Sequence, residues 1–308
     1  MTWRSADILT RAEVVEYGSW LLTPPEHPLP TGIEGWDGAC DETGGLGLGG
    51  WWYVVLGGAS NAGKTQFMLH LARRASEAEL QPGVITMEVP KRGLQRRYYA
   101  NVTPFTYYDF LHHKWIEGDA LAKADRLRSE VAKYREVLAF SRSLTVVERD
   151  SPPTLDEIMR ACEQLHDEGC RVIFVDHLQL IKAPQDEIAD RATEISEALR
   201  WFAHGKRCLV VALSQLNRVA SRERDRRPTM HDLWGGTSLE SNANQVVLLD
   251  HSRQARDPER PHLLRTWLYL DKNREGPNRV TIPVEANFRS GVWREAKADE
   301  VAAWPQGK

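Results

Sequence analysis

Cysteine is scarce in this chain. Four occur in 308 residues, Cys40, Cys162, Cys170 and Cys208, and no two form a C-x-x-C pair. That spacing excludes a disulfide framework and a thiolate zinc site and reads as reduced thiols. Long apolar runs are also missing. No stretch approaches the length of a membrane span, and the first residues lack a secretory-signal pattern, so a cytoplasmic location is expected. Charge of one sign is not in excess: the net charge is −3. Any nucleic-acid contact must therefore come from a local patch and not from global charge. There is no internal repeat and no low-complexity tract. What remains is 27% charged and 42% hydrophobic residues, the balance of a globular chain long enough to bury a full core.

The most informative stretch is Leu56-Gly57-Gly58-Ala59-Ser60-Asn61-Ala62-Gly63-Lys64-Thr65. It matches G-x-x-x-x-G-K-[ST] in full. A strand-like run, Trp52 to Leu56, precedes it, and a helix-like run, Gln66 to Ala75, follows with Phe67, Met68, Leu71, Ala72 and Ala75 on one face. Glycines let successive backbone N–H groups turn inward around phosphate oxygens, and the helix N-terminus adds donors and partial positive charge. Lys64 is expected to reach the β- and γ-phosphates of ATP, and the Thr65 hydroxyl to sit on Mg²⁺.

Around this loop the chain divides into three parts. Residues 1–30 read as a helix, Ser5 to Leu22, followed by a stiff Pro-rich linker. Residues 31–295 read as one α/β domain, and 296–308 as a tail. Strands are expected at Gly83 to Pro90, Ser143 to Glu148, Arg171 to Asp176, Cys208 to Leu213 and Gln245 to Asp250. Helical periodicity marks Asp119 to Phe140 and the run Ile195, Ala198, Leu199, Phe202, and Thr154 with Glu157 has capping-box spacing. Residues 219–244 read as polar and irregular. Leu263 to Leu270 with Arg279 to Glu285 reads as a closing hairpin. Strands alternating with helices predict a mostly parallel central sheet with helices on both faces.

Several side chains fall where such a sheet gathers its ligands, at the carboxyl ends of strands. Asp176 ends an apolar strand and suits Mg²⁺ opposite Thr65. Glu88 closes the strand after the first helix and suits a base for attacking water. Gln215 follows another strand and suits a γ-phosphate contact. Lys272 and Arg274 lie near a hairpin tip, where a cation can reach another subunit's nucleotide. Arg218, Arg222, Arg224, Arg226 and Arg227 form a basic segment diluted by Glu223 and Asp225. Trp234-Gly235-Gly236-Thr237-Ser238 offers N–H and O–H donors for a nucleic-acid backbone, with Trp234 able to stack on a base.

In this order the pieces resemble the C-terminal ATPase domain of the DnaB-type hexameric replicative helicases, over roughly Thr31 to Phe288. The resemblance rests on Thr31-Gly32-Ile33 with Asp37, the phosphate loop, and Thr86-Met87-Glu88 with Pro90. It rests also on Val175-Asp176-His177-Leu178-Gln179-Leu180, Glu194-Ile195-Ser196 and Ala212-Leu213-Ser214-Gln215-Leu216-Asn217-Arg218. Arg227-Pro228 with Asp232-Leu233, and Lys272-x-Arg274-x-Gly276-Pro277, complete it. It implies a RecA-like fold, a ring of six copies, ATP hydrolysis at subunit interfaces and 5′-to-3′ movement on single-stranded DNA. Glu88 matches the family's catalytic glutamate, Gln215 its γ-phosphate sensor, and Lys272 with Arg274 its trans-acting finger. Trp234 to Ser238 match a loop touching DNA inside the ring. A loader or other replication proteins are implied partners.

Two departures from the family pattern stand out. Only about 30 residues precede Thr31, where the family carries its primase-binding N-terminal domain, so primase is a doubtful partner in this reading. Trp234 and Gly235 stand where the family usually carries an Arg and a Glu, and the short loop 181–191 carries Asp186, Glu187 and Asp190. Two other readings share the same fold: a DNA-coating recombinase filament, and a regulatory or defence ATPase without unwinding activity.

Overall fold

A computed structural model describes residues 28–40, 47–103, 105–112, 145–148, 150–184, 187–217, 219–220, 226–250, 255–256, 262–302 and 304, with a few single positions between 119 and 129. The expected helices over 5–22 and most of 119–140 lie outside these residues, as do Arg218, Arg222, Arg224 and Asp186.

After a short helix α1 (Glu34–Asp37), strand β1 (Tyr53–Gly58) leads through the phosphate loop into α2 (Lys64–Glu77). Then come β2 (Gln81–Thr86), α3 (Lys91–Val102), α4 (Tyr107–His112), β3 (Thr145–Glu148), α5 (Leu155–Asp167) and β4 (Cys170–Asp176). They are followed by α6 (Ile188–Lys206), β5 (Leu209–Gln215), α7 (Thr237–Asn242) and β6 (Gln245–Leu249). The chain closes with β7 (Ala255–Arg256), β8 (Leu263–Asn273), β9 (Val280–Asn287), β10 (Val292–Glu295) and α8 (Ala298–Ala302).

All the strands join one sheet in the order β10-β9-β8-β6-β1-β5-β4-β2-β3, with β7 beside β8. From β3 to β6 every pairing is parallel; from β6 to β10 it is antiparallel. The β1 strand lies between β5 and β6 and is buried throughout, which explains its unbroken apolar run. Its side chains alternate between two cores. Val54 and Leu56 join Phe67, Met68 and Leu71 of α2 on one face. Tyr53 and Val55 join Ile158 of α5 and Ile195 and Leu199 of α6 on the other. The mostly parallel sheet covered on both faces is thus as expected, and the four cysteines are buried thiols outside any disulfide. Trp304, beyond α8, packs its ring on Trp267 of β8, with centroids 5.5 Å apart.

Some boundaries differ from the sequence expectation. The strand after α2 stops at Thr86 and not at Pro90, because the Thr86 hydroxyl donates to the Val89 carbonyl (2.9 Å) and turns the chain. The closing hairpin runs on to Asn273, since β8 continues pairing with β6 across a bulge at Val246/Val247. The segment read as irregular contains α7 and a 3₁₀ turn at Met230–Asp232.

Candidate nucleotide and DNA site

The parallel register brings the carboxyl ends of β1, β5, β4 and β2 to one edge of the sheet, and with them the expected nucleotide residues. The phosphate loop leaves β1 at Gly58. Asn61 (φ 63°) and Gly63 (φ 99°) adopt left-handed backbone, which folds the loop over the start of α2. Gly63 also lies against the Trp293 ring, which a Cβ there would meet at 3.1 Å. Lys64 reaches back under the loop, its Nζ donating to the carbonyls of Gly58 (2.9 Å) and Ala59 (2.8 Å). Burial pulls its pKa down to about 8, opposed by the charges of Asp176 and Glu88.

The Thr65 hydroxyl donates to Asp176 Oδ2 at 3.0 Å. Asp176 is almost fully buried, and desolvation raises its carboxyl pKa, opposed first by the Thr65 hydrogen bond. Glu88 sits in the turn two residues past β2, exposed toward this edge. Gln215 is the last residue of β5. Its Nε2 lies 3.3 Å from Nε2 of His177, whose Nδ1 is 3.1 Å from Glu88 Oε2. Glu88, Asp176 and His177 present ligand atoms within 4.8 Å of one another. Sequence reasoning gave His177 no role, although it follows Asp176 directly. Glu148, also unremarked, ends β3 and accepts the Lys91 N–H (2.9 Å) that opens α3.

The segment expected to face DNA is wired to β5. Leu216 and Leu233 form an antiparallel bridge, Asn217 N–H donates to the Asp232 carbonyl (2.7 Å), and Trp234 N–H donates to the Gln215 carbonyl (3.0 Å). Two of the arginines read as a basic patch are committed inside the fold. Arg226 forms a two-pronged pair with Asp232 (2.6 and 2.7 Å). Arg227 pairs with Asp271 at 2.6 Å and lies 4.1 Å from the centre of the Tyr269 ring. Trp234 carries the Arg191 guanidinium 5.6 Å from its ring centre. Gly235 (φ +77°) is wedged on α6, where a Cβ would stand 2.1 Å from Ala192 Cβ. The Ser238 hydroxyl donates to the Ala189 carbonyl (3.2 Å) and Gly236 N–H to the Leu233 carbonyl (2.9 Å), so these donors are already used. Thr237 remains exposed.

Lys272 and Arg274 are not brought to this edge. Because β8 runs antiparallel to β6, Lys272 pairs with Val246 at the opening of β6, and Arg274 N–H donates to the Asn244 carbonyl (3.0 Å). Asn244 in turn donates to the carbonyl of Tyr53, the first residue of β1. The length of β1 therefore separates this pair from the phosphate loop, about 17 Å at the usual strand rise. Both side chains fold onto the last turn of α7, Lys272 Nζ on the Glu240 carbonyl and Arg274 on the Ser241 carbonyl. Burial and the neighbouring Arg274 lower the Lys272 pKa to about 8. A pocket of about 540 Å³ opens beside them, lined also by Met230, Asp271 and Arg279.

Comparison with known proteins agrees with this arrangement. The model of the DnaB-like helicase C terminal domain matches residues 29–292. The replicative DNA helicase DnaB of Mycoplasma genitalium is 24% identical over 250 residues, covering 77% of this chain and 50% of that protein. DnaB of Leifsonia xyli subsp. xyli is 36% identical over 136 residues, covering 42% and 29%. The replicative DNA helicase DnaC of Bacillus subtilis is 24% identical over 259 residues, covering 82% and 54%. The chain thus spans about half the length of curated relatives that it matches over most of its own length. Among solved structures, an ATPase domain superposes with TM-score 0.70 at 18% identity, over 96% of this chain and all of that one. A DnaB-like replicative helicase described with its primase interactions superposes with TM-score 0.72 at 18% identity, over 94% and 69%. By fold, by the order of its motifs and by the extent of the match, the chain belongs to the DnaB-like helicase C-terminal domain family.

Proposed function

We propose that this chain hydrolyses ATP between copies of itself and uses the cycle to move 5′ to 3′ along single-stranded DNA, as a hexameric, ring-forming replicative motor would. The observation carrying this reading is the division of the site. Lys64, Thr65, Glu88, Asp176 and Gln215 share one sheet edge, while Lys272 and Arg274 stand at the other. A site so divided is completed by a second copy.

The residues present fit a magnesium nucleotide. The buried Asp176 carboxylate and the Thr65 hydroxyl form a hard oxygen pair 3.0 Å apart, beside a lysine whose protons rest on loop carbonyls. Thr65 and Asp176 would hold Mg²⁺, and Lys64 with the N–H groups of Ala59 to Thr65 would hold the phosphates. Bound there, Mg²⁺ supplies neutralising charge to the phosphate oxygens. Glu88 accepts the proton of a water whose oxygen attacks the γ-phosphorus, as the bond to the ADP oxygen breaks. Gln215 contacts the γ-phosphate and passes its loss to the backbone at Trp234. Gly235 and Thr237 N–H groups serve the DNA backbone, and a loader is a further partner in this reading.

A forked-DNA strand-displacement assay tests this, using substrates with only a 5′ or only a 3′ tail. Displacement from the 5′-tailed strand that is lost in Lys64→Ala is the expected result. ATP hydrolysis insensitive to single-stranded DNA, with no displacement on either fork, would contradict it.

A further inference from the structure

The sheet order β5-β4-β2 sets a geometric problem. Gln215 ends β5 and Glu88 follows β2, but β4 lies between them. Two strand spacings, about 10 Å, separate those two chain ends. The first residue past β4 is His177, and its ring fills this gap. The side chain is 7% exposed, with Nδ1 3.1 Å from Glu88 Oε2 and Nε2 3.3 Å from the Gln215 amide nitrogen. The Gln215 –NH₂ group can only donate, so Nε2 accepts, and the ring proton then lies on Nδ1, toward the carboxylate. Nδ1 makes no aligned hydrogen bond in this arrangement; it is a buried polar atom aimed at Glu88.

We infer that His177 is a positioning residue that holds the Glu88 carboxylate and the Gln215 amide in register, so that the water-activating and phosphate-sensing groups act together. Its two ring nitrogens face the two side chains flanking it, Nε2 toward the Gln215 amide and Nδ1 toward Glu88, with Asp176 Oδ1 3.8 Å from Nδ1. Gln215 is in turn bonded through its carbonyl to Trp234 N–H and to the Gln179 amide (3.2 Å), so the amide's anchor is already fixed on one side. His177 fixes the other. The inference rests on the reading of this edge as an ATPase site.

The test is steady-state ATP hydrolysis with single-stranded DNA present, alongside the Kd of a fluorescent ATP analogue, for His177→Ala, His177→Gln, Gln215→Ala and the double variant. The expected result is a loss of roughly tenfold in kcat for His177→Ala with Kd changed less than twofold, since only orientation is lost. The double variant should lose less than the product of the two single losses, because both act through one contact. His177→Gln, which restores an amide near the Nε2 position, should recover part of kcat. It also serves as the folded probe if His177→Ala does not fold. A kcat within twofold of the parent, a parallel fall in kcat and nucleotide affinity, or fully multiplicative losses would overturn the inference. So would a changed divalent-ion requirement, which would make His177 a ligand. If Lys64→Ala hydrolyses ATP at the parent rate, the ATPase reading itself fails, a result distinct from these.

Discussion

The backbone N–H of Trp234 donates to the carbonyl of Gln215 at 3.0 Å. The side chain of Gln215 faces the nucleotide edge, and Trp234 opens the segment proposed to meet DNA. One peptide unit therefore belongs to both places, and a shift at either end of the hydrogen bond is felt at the other without any intervening domain.

Gly235 follows Trp234 and has no room for a side chain. Its φ of +77° and the 2.1 Å separation that a Cβ would have from Ala192 Cβ make Gly235→Ala both strained and overpacked. We expect a loss of about 1–3 kcal/mol in urea unfolding, and DNA stimulation of hydrolysis reduced more than the DNA-free rate. Adding Ala192→Gly should recover stability in part, because it removes the clash but not the backbone strain.

Lys272 gives the hydrolysis rate a pH signature. Its pKa lies lowered at about 8, from burial and the adjacent Arg274. Lysine is charged below its pKa, so the cation is present below about 8 and lost as pH rises through it. Phosphate from a neighbouring copy moves this midpoint upward. A pH–rate profile of the parent should therefore fall at or above pH 8, while Lys272→Arg, charged throughout, should fall less over the same range, the remaining decline coming from Lys64, whose pKa is also lowered to about 8.

Asp176 and Thr65 should set the metal requirement. Asp176→Asn keeps a partner for the Thr65 hydroxyl but removes the charge. The Mg²⁺ concentration for half-maximal hydrolysis should rise about tenfold or more, measured by Mg²⁺ titration. Chelation by EDTA should abolish hydrolysis in the parent.

Acid should loosen the join between the first and last parts of the domain. His70, buried in α2, lies with Nε2 3.0 Å from the Thr31 carbonyl, and its Nδ1 accepts Trp293 N–H at 3.4 Å. Burial lowers its pKa from 6.5 to about 4. The folded state thus favours the neutral ring, while the unfolded chain takes up its proton near 6.5. This contribution is complete above pH 6.5, is lost progressively as pH falls toward 4, and is constant below that. The loss amounts to about 3 kcal/mol across the window. Urea unfolding at pH 7, 5.5 and 4.5 should show a steeper decline for the parent than for His70→Leu.

The nucleotide edge could be read from the chain because its signals are local. The loop from Gly58 to Thr65 carries its own turn chemistry, and strand-end positions follow from apolar runs that stop at Asp176 and Gln215. Other features depend on partners distant in sequence. α7 has six residues, with Leu239 and Asn242 buried, too short for a helical period to register. Arg226 and Arg227 looked like free charge until Asp232 and Asp271 arrived beside them. His177 acquires meaning only from the strand order, which sets it between Glu88 and Gln215. The distance of Lys272 and Arg274 from the phosphate loop likewise follows from the antiparallel pairing of β8 with β6.

The divided site is tested most directly by mixing two inactive variants. Glu88→Ala lacks the base at one sheet edge, and Arg274→Ala lacks the cation at the other. Each alone should bind a fluorescent ATP analogue yet hydrolyse little ATP. Mixed under conditions where labelled subunits are seen to exchange, they should regain a fraction of parent activity, because some interfaces then join an intact edge to an intact finger. Exchange without any regained hydrolysis would contradict a site completed between copies.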